Sequence, residues 1–480
     1  MSKKVKNSFL YLLPSMVGVA IPLITLPLFT RVLSPDEYGS LALCQVYAVL
    51  TTGIANFGLT FGYERDFFEQ KNNVKQITLL YSTLFFVISL LVFFGLTTQF
   101  FSSEIVKFLN IKSINPELLL LITFSSVAIS SIRHYFLIYF KNNENAKKYV
   151  LFTLDEIVIS FILSMFFVLY IKTGVVGIVL SQLIGGCIIL FFLVRKFLKI
   201  KSLEVDFNML KNSLKLSAPL TPRIFFGIIG SQFDKYIIGV ASSTGNVGIY
   251  HIAQKIANLG YVFMSSIQNV WGPVVYKMMF ENKEKNKSLI GIYLTPFFYV
   301  STFICLIISL FSEEIIFLMA PNEYSLGSII ITLLSILYGS LFFGKQNQLI
   351  FAKKTWLIST LTLFGILLNV LINYIFVFSF GFIGVAWGTM LSGLISGFVS
   401  YIYSQKSYRI EWEVYTYIIF IYFITSSLAL IFLMYLNTPY EIKIISKFIL
   451  LSGFILIGFL TKIISKENYL SVKNLILRKK

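Results

Sequence analysis

Apolar residues run along this chain in long unbroken stretches, not with the alternation of strands or the one-sided stripe of a surface helix. Bounded by charged or turn-rich segments, the stretches fall at 8–32, 39–62, 77–100, 117–140, 150–172, 175–194, 212–241, 250–275, 288–311, 328–351, 357–379, 382–403, 414–436 and 444–464. A helix needs roughly 20 mostly apolar residues to cross a bilayer core, because no backbone group can stay unpaired in hydrocarbon. The pattern predicts an all-α polytopic membrane protein with about fourteen transmembrane helices.

Charge adds the topology. With the N-terminus placed in the cytoplasm, one side collects Lys3, Lys4, Lys6, Arg65, Lys71, Lys75, Lys141, Lys147, Lys148, Arg195, Lys196, Lys277, Lys353, Lys354, Lys406, Arg409 and the tail from Lys466 to Lys480. The opposite side holds little beyond Arg31, Lys107, Lys112, Lys172 and Lys443. This asymmetry predicts an even number of spans with both termini inside, as for a multi-pass protein of a bacterial cytoplasmic membrane. The basic start, Met1 to Asn7, leads into an apolar stretch with no clear cleavage site, so it is expected to remain as the first span.

Composition agrees: 56% of the 480 residues are hydrophobic, 13% are charged, and the mean hydropathy of +0.80 excludes an ordinary soluble domain. The net charge of +18 is scattered through short loops and not gathered on an arm, which argues against nucleic acid as a partner. Cys44, Cys187 and Cys305 all lie in apolar spans without metal-ligand spacing. The outer loops, the longest near 101–116 and 312–327, leave no room for a catalytic domain, and no HExxH, GxSxG or P-loop occurs. No enzyme and no cofactor is expected; what the protein does happens between its helices.

Three matches in order point to an internal repeat. Asn7-Ser8 with Pro14 recurs as Asn212-Ser213 with Pro219, and Tyr38-Gly39 with Gln45 recurs as Val247-Gly248 with Gln254. Gly174 and Gly177 with Ser181 and Gly185 recur as Gly381 and Gly384 with Gly388 and Ser392. Six spans separate the halves, so the repeats are parallel. The expected organisation is an N-lobe over 1–205, a C-lobe over 206–405, and two further helices with a basic tail over 406–480. The basic, apolar-studded connector Arg195 to Lys211 either lies along the inner leaflet or is a solvated link.

Charges inside hydrocarbon are costly and normally face a cavity. Arg133, Asp155, Glu156, Arg223, Asp234, Lys235, Lys255 and Lys345 fall within spans, with Arg31, Glu64 and Arg65 near span ends. Cations predominate, and a cavity lined by them suits phosphate or acidic sugars. For Arg31, Arg65 and Lys345, snorkelling to the headgroups is the preferred reading; for Arg133 and Arg223 it is the cavity. Asp234, Asn369, Asn373 and Thr389 offer oxygen ligands for a small hard cation, though hydrogen bonding between helices is the commoner use of such amides and hydroxyls. His134 and His251 have no titratable partner at triad or metal spacing and read as buried histidines.

The opening Asn7-Ser8 helix, the segment Thr30-Arg31-Val32-Leu33-Ser34-Pro35-Asp36-Glu37-Tyr38-Gly39, and Asp234-Lys235 followed by Val247-Gly248-Ile249-Tyr250 and Ala253-Gln254-Lys255 resemble the polysaccharide-biosynthesis (Wzx-type, O-antigen) flippases of the multidrug/oligosaccharidyl-lipid/polysaccharide exporter superfamily. The resemblance implies two six-helix lobes around a cationic cavity that alternates between inward- and outward-facing states. It implies a cargo of oligosaccharide on undecaprenyl diphosphate, with a polysaccharide polymerase and glycosyltransferases as partners. Arg133, Arg223, Lys235 and Lys255, with Arg31 and Lys345 as further candidates, would hold the diphosphate. Asp234, Asn369, Asn373 and Thr389 are similar to a sodium site of lipid II flippases, except that Asn373 stands where an acid is expected; Na⁺ or H⁺ would be the coupling ion. The rival readings are an ion-coupled drug or metabolite exporter of the same superfamily and a membrane polymerase or glycosyltransferase.

Overall fold

The computed structural model describes residues 3–70, 72–281, 286–343, 347–436 and 438–464, and among these no strand occurs. The chain divides into two compact units, Ser2–His251 and Ile252–Lys480.

The first unit holds α1 (Lys3–Phe29), α2 (Pro35–Asn56), α3 (Leu59–Glu69), α4 (Asn73–Phe100), α5 (Ser102–Phe108), α6 (Pro116–Asn142), α7 (Ala146–Met165), α8 (Val175–Leu198), α9 (Phe207–Ser217), α10 (Thr221–Ala241) and the start of α11 (Thr244–Glu281). The second holds the rest of α11, then α12 (Asn286–Leu310), α13 (Ser312–Met319), α14 (Gly327–Ser340), α15 (Asn347–Phe351), α16 (Thr355–Ser407), α17 (Val414–Tyr435) and α18 (Tyr440–Leu460). Among the described residues, ten helices are long and apolar enough to cross a membrane. One of these, α16, is two helices meeting at Gly381, and α1, α11 and α14 stand where the remaining apolar stretches lie. Among the described residues, each expected span thus falls largely on helix, with turns at 57–58 and 341–343 interrupting two of them. The span boundaries come from ordinary end signals: Ser34 caps α2 in a capping box with Glu37, Pro35 opens the helix, and Asp206 accepts from the Asn208 and Met209 amides to start α9.

Within the first unit, the beginnings of α2 and α11 cross at paired glycines. A Cβ on Gly39 would collide with the Thr244 carbonyl oxygen, and one on Gly248 with the Pro35 carbonyl oxygen. The two glycines also face each other's amides, at 3.1 and 3.0 Å from the Cβ positions. This reciprocity is the local two-fold relation that the Tyr38-Gly39 and Val247-Gly248 match implies. The α5–α6 loop laces the crossing: Thr244 Oγ1 donates to the Asn110 carbonyl (2.9 Å), Ser40 Oγ to that of Lys112 (2.6 Å), and Asn110 Nδ2 to that of Gly239 (3.3 Å).

By contacts the chain divides at His251, inside α11, a division distinct from the lobes that the repeats outline over 1–205 and 206–405. The cause is local packing. Ser213 on α9 donates to Asp66 on α3 (2.5 Å), Asp206 is held by Ser82 on α4 (2.8 Å), and Gly53 and Gly58 let α10 and the turn before it close on α2. The connector is accordingly tacked to α4, also through Tyr81 donating to the Lys201 carbonyl (3.3 Å). An aromatic cluster fills this end of the unit, with Phe197 against Phe136, Tyr139 and Phe140 at 4.9 to 5.6 Å between ring centres. Such pairs add about 0.5–1.5 kcal/mol each beyond area burial.

In the second unit, hydroxyls join helices where hydrocarbon supplies no driving force for association. Thr295 on α12 meets Thr416 on α17 (2.7 Å), and Ser312 on α13 meets Thr332 on α14 (2.9 Å). The pair of helices at the C-terminus is anchored by charge as well: the fully buried Lys447 on α18 reaches Glu313 (2.9 Å) and Glu314 (2.7 Å) on α13, and Lys443 reaches Glu313 (2.8 Å).

Candidate functional site

The glycines of the third repeat match shape both units alike. Gly174 has φ 65°, ψ −152° and Gly381 has φ 64°, ψ −155°, a backbone region open only to glycine. Each turns the chain sharply into the helix that follows. In the second unit this turn folds the two halves of α16 against each other, and Gly384 and Gly388 keep them close, since a Cβ on either would collide with Phe376 O or Asn373 Oδ1.

That approach brings Asn369, Asn373 and Thr389 together, along with Ser392, a neighbour the sequence reading left out. Asn369 Nδ2 donates to Thr389 (3.3 Å) and Ser392 (3.2 Å), and Asn373 Nδ2 donates to Thr389 (3.0 Å). Asn373 is fully buried, and Asn369 Oδ1 is buried without a hydrogen-bond donor. The group offers neutral oxygens, one of them unpartnered, which fits a small hard cation; it holds no carboxylate. The spacing of Ser392, three residues past Thr389, is the signal that would have found it.

Asp234 lies in the first unit, on α10. Its Oδ2 accepts from the Tyr250 hydroxyl at 2.6 Å. The adjacent Lys235 is 8% exposed, touches Gln232 Oε1 at 3.5 Å, and has no carboxylate within ion-pair distance among the described residues. The neighbouring Asp234 attracts it only from beyond ion-pair distance, and a buried ammonium held that loosely in a membrane segment is a candidate partner for an anion.

Arg133 is also buried, but it is ion-paired with Glu156, bracing α6 against α7. Its charge is therefore compensated, unlike that of Lys235. Asp155, one residue earlier, is exposed on α7. Arg223 is a residue of α10, and its side chain lies outside the described ones. Arg31, just past α1, and Lys255, on the second-unit part of α11, are exposed. Lys345 lies outside the described residues. Of the two histidines expected to be buried, His251 is, whereas His134 on α6 is exposed. No group of three or more His, Cys, Asp and Glu side chains gathers as a metal site among the described residues.

Long apolar helices carrying intramembrane charges, with matching glycine turns in the two units, define a polytopic membrane protein. Comparison with known proteins narrows this. The sequence profile of the polysaccharide biosynthesis protein family matches residues 4–279, more than half of the chain, and the chain belongs to that family. A curated relative, the "Probable low-salt glycan biosynthesis flippase Agl15" of Haloferax volcanii, is 26% identical over 171 residues, 35% of this chain and 36% of the relative, so the match spans about a third of that protein's length. The fold is shared with lipid II flippase MurJ in an inward closed conformation (TM-score 0.68, 18% identity, 96% of this chain and 100% of that one). It is shared too with an inward-facing multidrug resistance MATE family transporter of the MOP superfamily (TM-score 0.65, 15% identity, 82% and 94%). These relatives are named as flippases and transporters, not enzymes.

Proposed function

We propose that this protein is a flippase that carries an oligosaccharide repeat unit on undecaprenyl diphosphate from the cytoplasmic to the outer leaflet for cell-surface polysaccharide synthesis. The observation that carries the reading is Lys235, a buried transmembrane ammonium with no carboxylate partner among the described residues, in a chain of the polysaccharide biosynthesis family. An entering diphosphate would supply the close counter-charge that Asp234, beyond ion-pair distance, does not, so part of the cost of burying Lys235 becomes binding energy for the anion. Arg223, on the same helix, is the proposed second cation, with Lys255 and Arg31 at the exposed margin and Lys345 as a further candidate. Arg133 acts through its pair with Glu156. The polyprenyl tail stays in lipid while one repeat rocks against the other. A polymerase and glycosyltransferases are the proposed neighbours, in a cytoplasmic membrane with both termini inside.

Na⁺ or H⁺ is the proposed coupling ion. Asn369, Asn373 and Thr389, with Ser392, would hold Na⁺ through neutral oxygens; Asp234, which accepts from Tyr250, is the separate carboxylate candidate on α10.

The test is depletion in the host, with a membrane-impermeant glycan label applied to intact cells and to inverted vesicles, complemented by wild type or Lys235→Gln. Complete lipid-linked units should collect on the cytoplasmic face, and Lys235→Gln should restore little export at wild-type protein levels. Normal outward appearance of the units, with failed polymerisation or lost drug resistance, would replace this reading with the enzyme or exporter one.

A further inference from the structure

In the second unit, the segment joining α16 to α17 borders an open surface recess of about 510 Å³ whose lining includes Tyr401, Gln405, Lys406, Arg409, Glu411 and Tyr417. We propose that this recess binds the phosphate of an anionic phospholipid of the surrounding bilayer. The inference is independent of the transport reading and rests on residues outside the intramembrane cations.

The walls are built in advance of any ligand. Gln405 accepts from the Ile410 amide (2.7 Å) and donates to the Ile410 carbonyl (3.1 Å) and to the Tyr401 hydroxyl (3.0 Å), which in turn meets the Tyr417 hydroxyl (2.8 Å). The Glu411 amide donates to the Lys287 carbonyl (3.1 Å), and Gly291 lets α12 approach so closely that a Cβ there would collide with the Glu411 carbonyl oxygen. The connecting segment is therefore strapped to α12 and does not swing freely.

The chemistry inside favours an anion. Lys406 and Arg409 are exposed, and among the described residues neither is within ion-pair distance of a carboxylate, although Glu411 also borders the recess. The Trp412 Nε1–H is buried with no acceptor, a rare condition in a folded protein. Phosphate oxygens in the recess would accept from the exposed guanidinium and ammonium, whereas the indole N–H is sealed beneath its wall.

The lipid source follows from what lies beside the recess. Trp and Tyr at helix ends mark headgroup depth. Val414, Ile418 and Ile421 are exposed on one face of α17 directly beyond it, a stripe at helical spacing on which acyl chains can lie. The repeat supplies a second observation. Lys199 stands as many residues after Gly174 as Lys406 does after Gly381, and the end of α8 carries its own open recess of about 390 Å³, lined by Phe191, Val194, Arg195, Leu198 and Lys199. The same helix end thus presents a basic recess in both repeats.

The test is native mass spectrometry of delipidated full-length protein titrated with phosphatidylglycerol or phosphatidylcholine. Wild type should prefer phosphatidylglycerol, and Lys406→Gln/Arg409→Gln should lower that preference by about tenfold to thirtyfold. Trp412→Phe, which removes the sealed indole N–H, should leave the preference unchanged and serves as a control. Raising the salt on wild type should reduce the preference without any substitution, which covers a variant that does not fold. Equal binding of the two lipids, or a preference that survives in the double variant, overturns the proposal. So does competition by inorganic pyrophosphate in the absence of phosphatidylglycerol binding, which would hand the recess to the cargo's diphosphate.

Discussion

Replacing Lys447 by methionine tests whether charge, and not greasy contact alone, fixes α18 to its unit. The Lys447 side chain is 0% exposed and is shared by two carboxylates, Glu313 at 2.9 Å and Glu314 at 2.7 Å, while Lys443 meets Glu313 at 2.8 Å. Methionine fills the same volume, so no cavity term enters. What remains is one cation for two half-buried glutamates, and leaving a buried pair half-broken costs about 3–5 kcal/mol. Lys447→Met with Glu314→Gln leaves the Lys443–Glu313 pair whole and should recover most of that loss. The assay is reversible unfolding in mixed micelles, followed by tryptophan fluorescence. The pH response adds a sign. Burial pushes the Glu313 carboxyl up, but hydrogen bonds from Lys443 and Lys447 outweigh it and hold the group below its usual range. A carboxyl depressed on folding contributes stability that is complete above its unfolded pKa and is lost as pH falls through the folded one. Acidification should therefore loosen wild type more than the double variant. A Lys447→Met protein within about 0.5 kcal/mol of wild type would refute the reasoning, because an exposed-site substitution does no more than that.

Three further outcomes follow from the packing. Gly381→Ala meets no atom within 4 Å, so its loss of about 1–3 kcal/mol reports backbone strain alone; Gly174→Ala should cost at least as much, since its Cβ would lie 2.7 Å from Glu37 Oε1. An unchanged unfolding midpoint for Gly381→Ala would remove the hinge argument. Gly39→Ala and Gly248→Ala each press a methyl onto a backbone carbonyl and should lower stability by about 1–3 kcal/mol or more, read as a fall in the detergent melting temperature. Arg133→Met strands Glu156 and should cost about 3–5 kcal/mol, whereas Arg133→Met with Glu156→Leu recovers most of it; equal damage from both would show that the pair is no brace between α6 and α7.

The spans were legible because a membrane imposes one length and one composition on every crossing. The glycines of the repeats were legible for a related reason: Gly39 with Gly248, and Gly174 with Gly381, sit at positions where only a missing Cβ or a positive φ works, so each half carries the same residue at the same place. The boundary between compact units was not legible, because it depends on Ser213 finding Asp66 and Asp206 finding Ser82, contacts that join distant parts of the chain. Partners of buried charges escaped for the same reason. Arg133 alone reads as a cavity cation, and nothing near it in sequence announces Glu156 as its partner. Lys447 lies in an apolar run and attracts notice only beside Glu313 and Glu314.

This difference separates the cations into two kinds by a physical criterion. Arg133 and Lys447 bury their charge against carboxylates of the same unit and so cost little to keep in place at all times. Lys235 buries its charge with no carboxylate within ion-pair distance among the described residues, only the adjacent Asp234 acting on it from farther off, and an apolar residue of that volume should fold about as well. A transporter needs a charge of the second kind, because a cation already satisfied by the protein has nothing to offer an entering anion. Lys235→Met should therefore raise or preserve stability while diminishing export, the opposite of what Arg133→Met and Lys447→Met do. Measuring melting temperature and glycan export on the three variants side by side distinguishes a binding cation from a structural one, and a destabilised Lys235→Met would place it with the others.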